Sequence, residues 1–104
     1  MKPEKVNILG IEYKIIYVDN PVEVDIYKRD ALWGQIDYWT RTIRIYDNGD
    51  KPLEDIWQAL WHEVVHGIVD LLHIKSLEGK EKEDDVDLLA LALNDILFRN
   101  EWIK

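Results

Sequence analysis

The stretch LWHEVVHGIVDLLH, residues 60–73, constrains this chain more than any other part of its sequence. Its apolar residues recur at helical spacing, and a helix is predicted over about residues 53–73. His62, Glu63 and His66 lie within that helix among apolar neighbours. Burying two imidazoles and a carboxylate costs free energy unless a partner satisfies them. The sequence therefore predicts either hydrogen-bonded core histidines or, the interpretation we favour, a metal site.

Composition narrows the class of protein and its partners. A chain of 104 residues is expected to form one domain, residues 1–104, with one modest core. Its net charge of -8 argues against nucleic acid or an anionic membrane surface as partner. The chain has no cysteine, so disulfides and thiolate zinc ligands are excluded. Because no long apolar run suggests a signal peptide or a membrane span, a cytoplasmic location is expected.

The front of the chain is patterned for strands and the back for helices. Alternating β-branched and aromatic residues predict strands over residues 11–18, 32–39 and 42–47, the last two paired as a hairpin. A second helix is predicted over about residues 81–98, opened by acidic side chains. Residues 21–31 receive no assignment. The predicted fold is α+β, a three-stranded sheet followed by two helices that pack on the sheet and on each other.

His62 and His66 can direct ring nitrogens at one point, because residues four apart share a helix face. Zinc binds imidazole nitrogen at about 2.0–2.1 Å. Glu63 would lie beside that point and accept a proton from a water that the metal activates. This is the H-E-x-x-H pattern of zinc metalloproteases.

A catalytic zinc ion requires a third protein ligand and a position left for water. Glu83 is the predicted ligand, because it begins the second helix at the head of an apolar stripe that should face the first helix. Asp84 and Asp87 on the same helix are the alternatives. The stripe consists of Val86, Ala90, Leu93 and Leu97.

Two other polar residues of the first helix are weaker candidates. His73 lies roughly 10 Å beyond His66 along the helix axis, so it is expected as a helix-end histidine. Asp70 is better placed near the ligands, or in solvent, than on the metal. The metzincin pattern requires a glycine and a histidine where this chain has Val69 and Leu72, so that family is excluded.

With these residues in place, the chain resembles a known group of zinc peptidases. H-E-V-V-H at 62–66, followed by E-x-x-V-D-x-L-A at 83–90, resembles the gluzincins, which bind zinc through two histidines and a glutamate. The short length and the element order resemble the minigluzincins. The second motif is also similar to that of small phage and bacterial endopeptidases that cleave repressors, with Val86 and Leu89 replacing alanine and phenylalanine. The resemblance covers about residues 32–98.

The resemblance implies a minimal zincin-like fold, Zn²⁺ as cofactor and hydrolysis of peptide or protein substrates. It implies His62, His66 and Glu83 as metal ligands and Glu63 as general base and acid. An edge strand above the active-site helix would pair with extended substrate. The residues predicted for that strand are Thr42, Ile43, Arg44, Ile45 and Tyr46.

Further expectations concern the transition state and latency. Tyr46 and Arg44 are candidates for the side chain that stabilises the oxyanion. A terminal segment, either the tail RNEWIK at 99–104 or the N-terminal segment, is expected to inhibit the enzyme by occupying the cleft of its own chain or of a neighbouring copy. The alternatives to a peptidase are a regulatory or binding module that closes all four zinc positions with protein groups, and a metal-free scaffold.

Overall fold

The computed structural model describes residues 2–27 and 31–100. The fold is α+β, a four-stranded mixed sheet and two helices. Neither helix in this part of the chain is both long and apolar enough to cross a membrane. The elements are β1 (Lys5–Ile8), β2 (Ile11–Val18), β3 (Gly34–Asp37), β4 (Thr42–Tyr46), α1 (Leu53–Leu72) and α2 (Glu83–Arg99).

The order of the strands in the sheet is β1-β2-β4-β3. The two outer pairs are antiparallel, whereas β2 and β4 run parallel to each other. The predicted hairpin of the second and third expected strands is confirmed as β3 and β4. Within the described residues, β3 pairs on one side only, so its other edge is free.

The prediction of three strands is wrong, because β1 was missed. This strand is only four residues long, and a two-residue turn joins it to β2. Both turn residues, Leu9 and Gly10, have positive φ, at 52° and 92°. That geometry suits the twist of a hairpin, but leucine is an uncommon residue there and gives no turn signal in the sequence.

The prediction that Thr42–Tyr46 is an edge strand is also wrong. As β4, this segment lies inside the sheet and pairs with β2 on one side and β3 on the other. Ile43 and Ile45 are fully buried beneath α1. Period-two alternation identifies a strand and its buried face, but it carries no information on which strands are neighbours.

Two apolar clusters hold the helices in place. The larger lies between the sheet and the inner face of α1. The smaller lies between α1 and α2 and contains Val65, Val69 and Val86. The prediction that the stripe headed by Glu83 faces α1 is confirmed by Val86 and Ala90, both fully buried. Packing of this stripe places the start of α2 beside the middle of α1.

Candidate metal centre

The side chains of His62, His66 and Glu83 meet at one point between the two helices. The two Nε2 atoms of the histidines are 3.1 Å apart. Glu83 Oε2 is 2.9 Å from His62 Nε2, and Glu83 Oε1 is 3.1 Å from His66 Nε2. All three predicted ligands therefore direct donor atoms at a common centre.

The spacing and chemistry of these donors fit a divalent metal ion. Ligands at 2.0–2.1 Å around a tetrahedral zinc ion lie about 3.3 Å from each other, close to the observed separations. Two imidazoles and a carboxylate are ligands that zinc accepts. Burial lowers the pKa of His66, which favours the neutral imidazole that binds metals. Among the described residues, no other group of histidine and acidic side chains meets in this way.

Asp87, predicted as an alternative ligand, contacts the opposite side of the His62 ring. Its Oδ1 lies 3.2 Å from His62 Nδ1. Such a contact fixes the orientation and tautomer of a metal-binding imidazole. Because Asp87 follows Glu83 by one helical turn, α2 supplies both a candidate ligand and a group that orients a second ligand. Asp84 is exposed and lies outside the cluster.

The other polar candidates of α1 also lie outside the cluster. His73 caps the C-terminus of the helix in a left-handed conformation, with φ 52°, and its side chain is exposed. The prediction of a helix-end histidine is confirmed. Asp70 is exposed and does not join the metal-binding group.

Glu63 is buried between α1 and the free edge of β3. Its side chain is 7% exposed, and the backbone N–H of Ile36 donates a hydrogen bond to its carboxylate. Burial raises the pKa of Glu63 to about 7; Glu83 acts in the same direction, whereas His62 and the Ile36 N–H oppose it. A carboxyl group with such a pKa can both accept and release a proton near neutral pH.

Gly34 makes room for this carboxyl group. A Cβ atom built on Gly34 would lie 3.1 Å from Glu63 Oε2 and 3.2 Å from Glu63 Cγ. The backbone of β3 therefore passes directly over the Glu63 side chain. Gly34 and Ile36 were not among the predicted site residues, although a glycine inside a strand pattern is a known signal of close approach by another group.

A cleft of about 660 Å³ opens onto the cluster. One wall is the segment 32–36, which includes the free edge of β3, and the other is formed by α1 and the start of α2. Tyr46 N donates to Trp33 O, so Trp33, Gln35 and Asp37 direct their backbone groups at β4. Because the backbone groups of successive strand residues point to opposite sides, the N–H and C=O groups of Gly34 and Ile36 are directed at the free edge.

The two predicted oxyanion-stabilising residues do not line this cleft. Arg44 Nη2 donates to the carbonyl oxygen of Glu23, and the Tyr46 ring packs against Trp33 with centroids 5.4 Å apart. Tyr38, which was not a predicted site residue, is part of the cleft wall, and its hydroxyl donates to the carbonyl oxygen of His66 at 3.3 Å. Tyr38 follows β3 directly, so the edge strand positions it.

The prediction of an inhibitory terminal segment has two parts. Residues 101–104 of the predicted tail lie outside the described residues, and α2 ends at Arg99. The N-terminal segment does not lie in the cleft of its own chain, whereas its binding in the cleft of a neighbouring copy stays a prediction. It forms β1 at the far edge of the sheet, and Lys2 pairs there with Asp47.

No protein-family model, curated protein or solved structure matches this chain. The resemblance to gluzincins therefore rests on the residues and motifs quoted above. Function has to be argued from the site itself.

Proposed function

We propose that this chain is a zinc-dependent endopeptidase with a minimal zincin-like fold. The observation that carries the proposal is the convergence of His62, His66 and Glu83 beside the buried carboxyl group of Glu63. Zinc bound by these three ligands would supply a Lewis acid that activates a water and polarises the scissile carbonyl.

The arrangement of Asp87 favours a catalytic over a structural metal site. A structural zinc site closes all four positions with protein groups, whereas a catalytic site keeps one open. In the parts of the chain that the structure describes, no fourth side chain joins the cluster. Asp87, the nearest additional carboxylate of α2, contacts the outer nitrogen of His62 instead. All three residues of the cluster line the cleft, so a water or substrate in the cleft could reach a metal ion bound there.

Glu63 is placed to move the protons that hydrolysis requires. It lies next to the ligand His62 in sequence, and its carboxyl group lies at the cleft wall. It would accept a proton as the water oxygen bonds to the carbonyl carbon, and would deliver a proton to the amine as the C–N bond breaks. The Ile36 N–H holds the carboxyl group in position for both transfers.

An extended peptide fits the free edge of β3. The backbone N–H and C=O of Gly34 point into the cleft beside Glu63, and they would pair with substrate backbone as an added strand. Such pairing is tolerant of side-chain identity, which suits a short chain with little surface for specificity pockets. The substrate class is therefore extended peptides or unfolded protein segments.

The metal requirement gives a direct test of the proposal. Zinc-loaded protein is expected to cleave an internally quenched peptide blocked at both ends, chelation is expected to stop cleavage, and added zinc is expected to restore it. His66→Ala should be inactive, whereas His73→Ala, which changes an exposed histidine outside the cluster, should remain active. Failure of the zinc-loaded protein to cleave any unfolded substrate would refute the proposed activity.

Tyr38 is the one hydroxyl-bearing side chain among the described residues of the cleft wall, and its O–H, which donates to the carbonyl oxygen of His66, would turn to donate to the oxyanion. Tyr38→Phe is expected to lower kcat by about 10²-fold, in the range found when one oxyanion donor is removed, with zinc content unchanged. Tyr46→Phe is the matched control, because its ring lies outside the cleft. Equal rates for the two variants would remove Tyr38 from the mechanism.

A further inference from the structure

Lys51 is the one lysine or arginine among the described residues that line the cleft. The acidic side chains of that lining are Asp55, Glu63, Glu83 and Asp87. Its Nζ atom lies 3.6 Å from the centroid of the Trp33 ring and 5.3 Å from that of Tyr46. The ammonium group is therefore held at one end of the cleft by aromatic faces.

Among the described residues, Lys51 has no ion-pair partner. Within residues 2–27 and 31–100, no carboxylate forms a salt bridge with it. Asp55 and Asp47 are the acidic groups close enough to act on it electrostatically. Asp47 already pairs with Lys2. The ammonium group thus has N–H donors available to a bound molecule.

The direction of β3 determines which part of a substrate reaches Lys51. Gly34 lies against Glu63, and Ile36 lies against Gly67, so β3 runs in the same direction as α1. Antiparallel pairing is the more stable arrangement for an added strand. A peptide bound in that way would run from the Tyr38 end of the cleft toward Lys51. Residues C-terminal to the scissile bond would therefore approach Lys51.

The rise along α1 gives the number of substrate residues between the scissile bond and Lys51. Asp55, which lines the cleft near Lys51, precedes His62 by seven positions, or about 10 Å along the helix axis. An extended peptide covers that distance in about three residues. Lys51 is thus within reach of the second to fourth substrate residues after the scissile bond.

Building on the proposed function, we propose that Lys51, held against Trp33, forms a subsite for a substrate carboxylate about three residues C-terminal to the scissile bond. The carboxylate is supplied either by an acidic side chain or by the free C-terminus of the peptide. Trp33 is 63% exposed, so its ring offers apolar surface to the aliphatic part of the substrate residue that carries the carboxylate. This subsite narrows the proposed substrate class to peptides with a negative charge C-terminal to the scissile bond.

A peptide series tests this subsite. Peptides that differ only by Glu or Gln at the second, third or fourth position after the cleaved bond are compared, each with a C-terminal acid or amide. The wild-type protein is expected to favour Glu about three- to fivefold in kcat/KM, the size of an exposed ion pair. Lys51→Met should bring the ratio to one, and Asp55→Asn should raise it. Added salt should reduce the preference.

Controls separate the subsite from net charge and from the proposed activity. Lys14→Met removes an exposed lysine of β2 outside the cleft lining and should leave the ratio unchanged. If the wild-type protein cleaves nothing, the proposed activity fails, and binding of the Glu and Gln peptides by fluorescence anisotropy decides the subsite. Tighter binding of the Glu peptide, lost in Lys51→Met, supports it. Equal affinities, or a preference for acidic residues upstream of the bond, would overturn it.

Discussion

Glu63→Gln is expected to lower the rate of peptide hydrolysis by about 10²- to 10⁴-fold, the range for loss of a general acid–base group. The variant is expected to keep its zinc, because Glu63 is not one of the three converging donors. Glutamine has nearly the shape of glutamate, so it fills the same space under Gly34. Its carbonyl oxygen can still accept the hydrogen bond from the Ile36 N–H. The loss would therefore report on proton transfer.

Glu54→Gln is the matched control for this substitution. Glu54 is an exposed acid in the first turn of the same helix, outside the cleft lining. Its variant should retain the wild-type rate. Rates are measured with zinc-loaded protein and a blocked fluorogenic peptide, and zinc content is measured on the same samples. A Glu63→Gln variant with near wild-type activity would contradict the assigned role.

Glu83→Gln is expected to remove most of the zinc affinity, and with it the zinc-dependent part of the stability. Loss of a partner that only orients a ligand typically lowers metal affinity by about 10- to 100-fold, and loss of a charged ligand should cost more. In the wild-type protein, zinc at a hundred times its Kd should stabilise the fold by about 2.7 kcal/mol. That corresponds to a rise in Tm of about 10 °C or more.

Neighbouring acids of α2 provide a graded series for this test. Asp87→Asn should give an intermediate loss of affinity, because Asp87 contacts only the outer nitrogen of His62. Asp84→Asn should retain the full zinc-induced rise in Tm, since Asp84 is exposed and outside the cluster. Thermal unfolding with and without zinc, together with a competition titration, measures all three variants. An unchanged zinc affinity in Glu83→Gln would show that the third ligand is another group.

The sequence was sufficient to predict the elements that have strong periodicity. Helix α1 was expected over residues 53–73 and is found at Leu53–Leu72, and α2 was expected over residues 81–98 and is found at Glu83–Arg99. The cluster of His62, His66 and Glu83 could be predicted from residue spacing within each helix. Two histidines share a helix face by their spacing, and Glu83 heads an apolar stripe that has to be buried against that helix.

Features that depend on the order of the strands could not be predicted from local patterns. The parallel pairing of β2 with β4 joins segments that are distant in sequence, and it places β3 rather than β4 at the edge above α1. The roles proposed for Gly34, Tyr38 and Lys51 depend on that placement. Each becomes part of the site only because the free edge of β3 lies over the middle of α1.

The proposed chemistry depends on one zinc ion bound by His62, His66 and Glu83. X-ray absorption spectroscopy at the zinc edge on the wild-type protein tests it most directly. One zinc per chain is expected, with two imidazole nitrogens and oxygen ligands at about 2.0–2.1 Å. A protein that binds no zinc when supplied with it, or a bound zinc whose spectrum lacks imidazole ligands, would rule out this metal site.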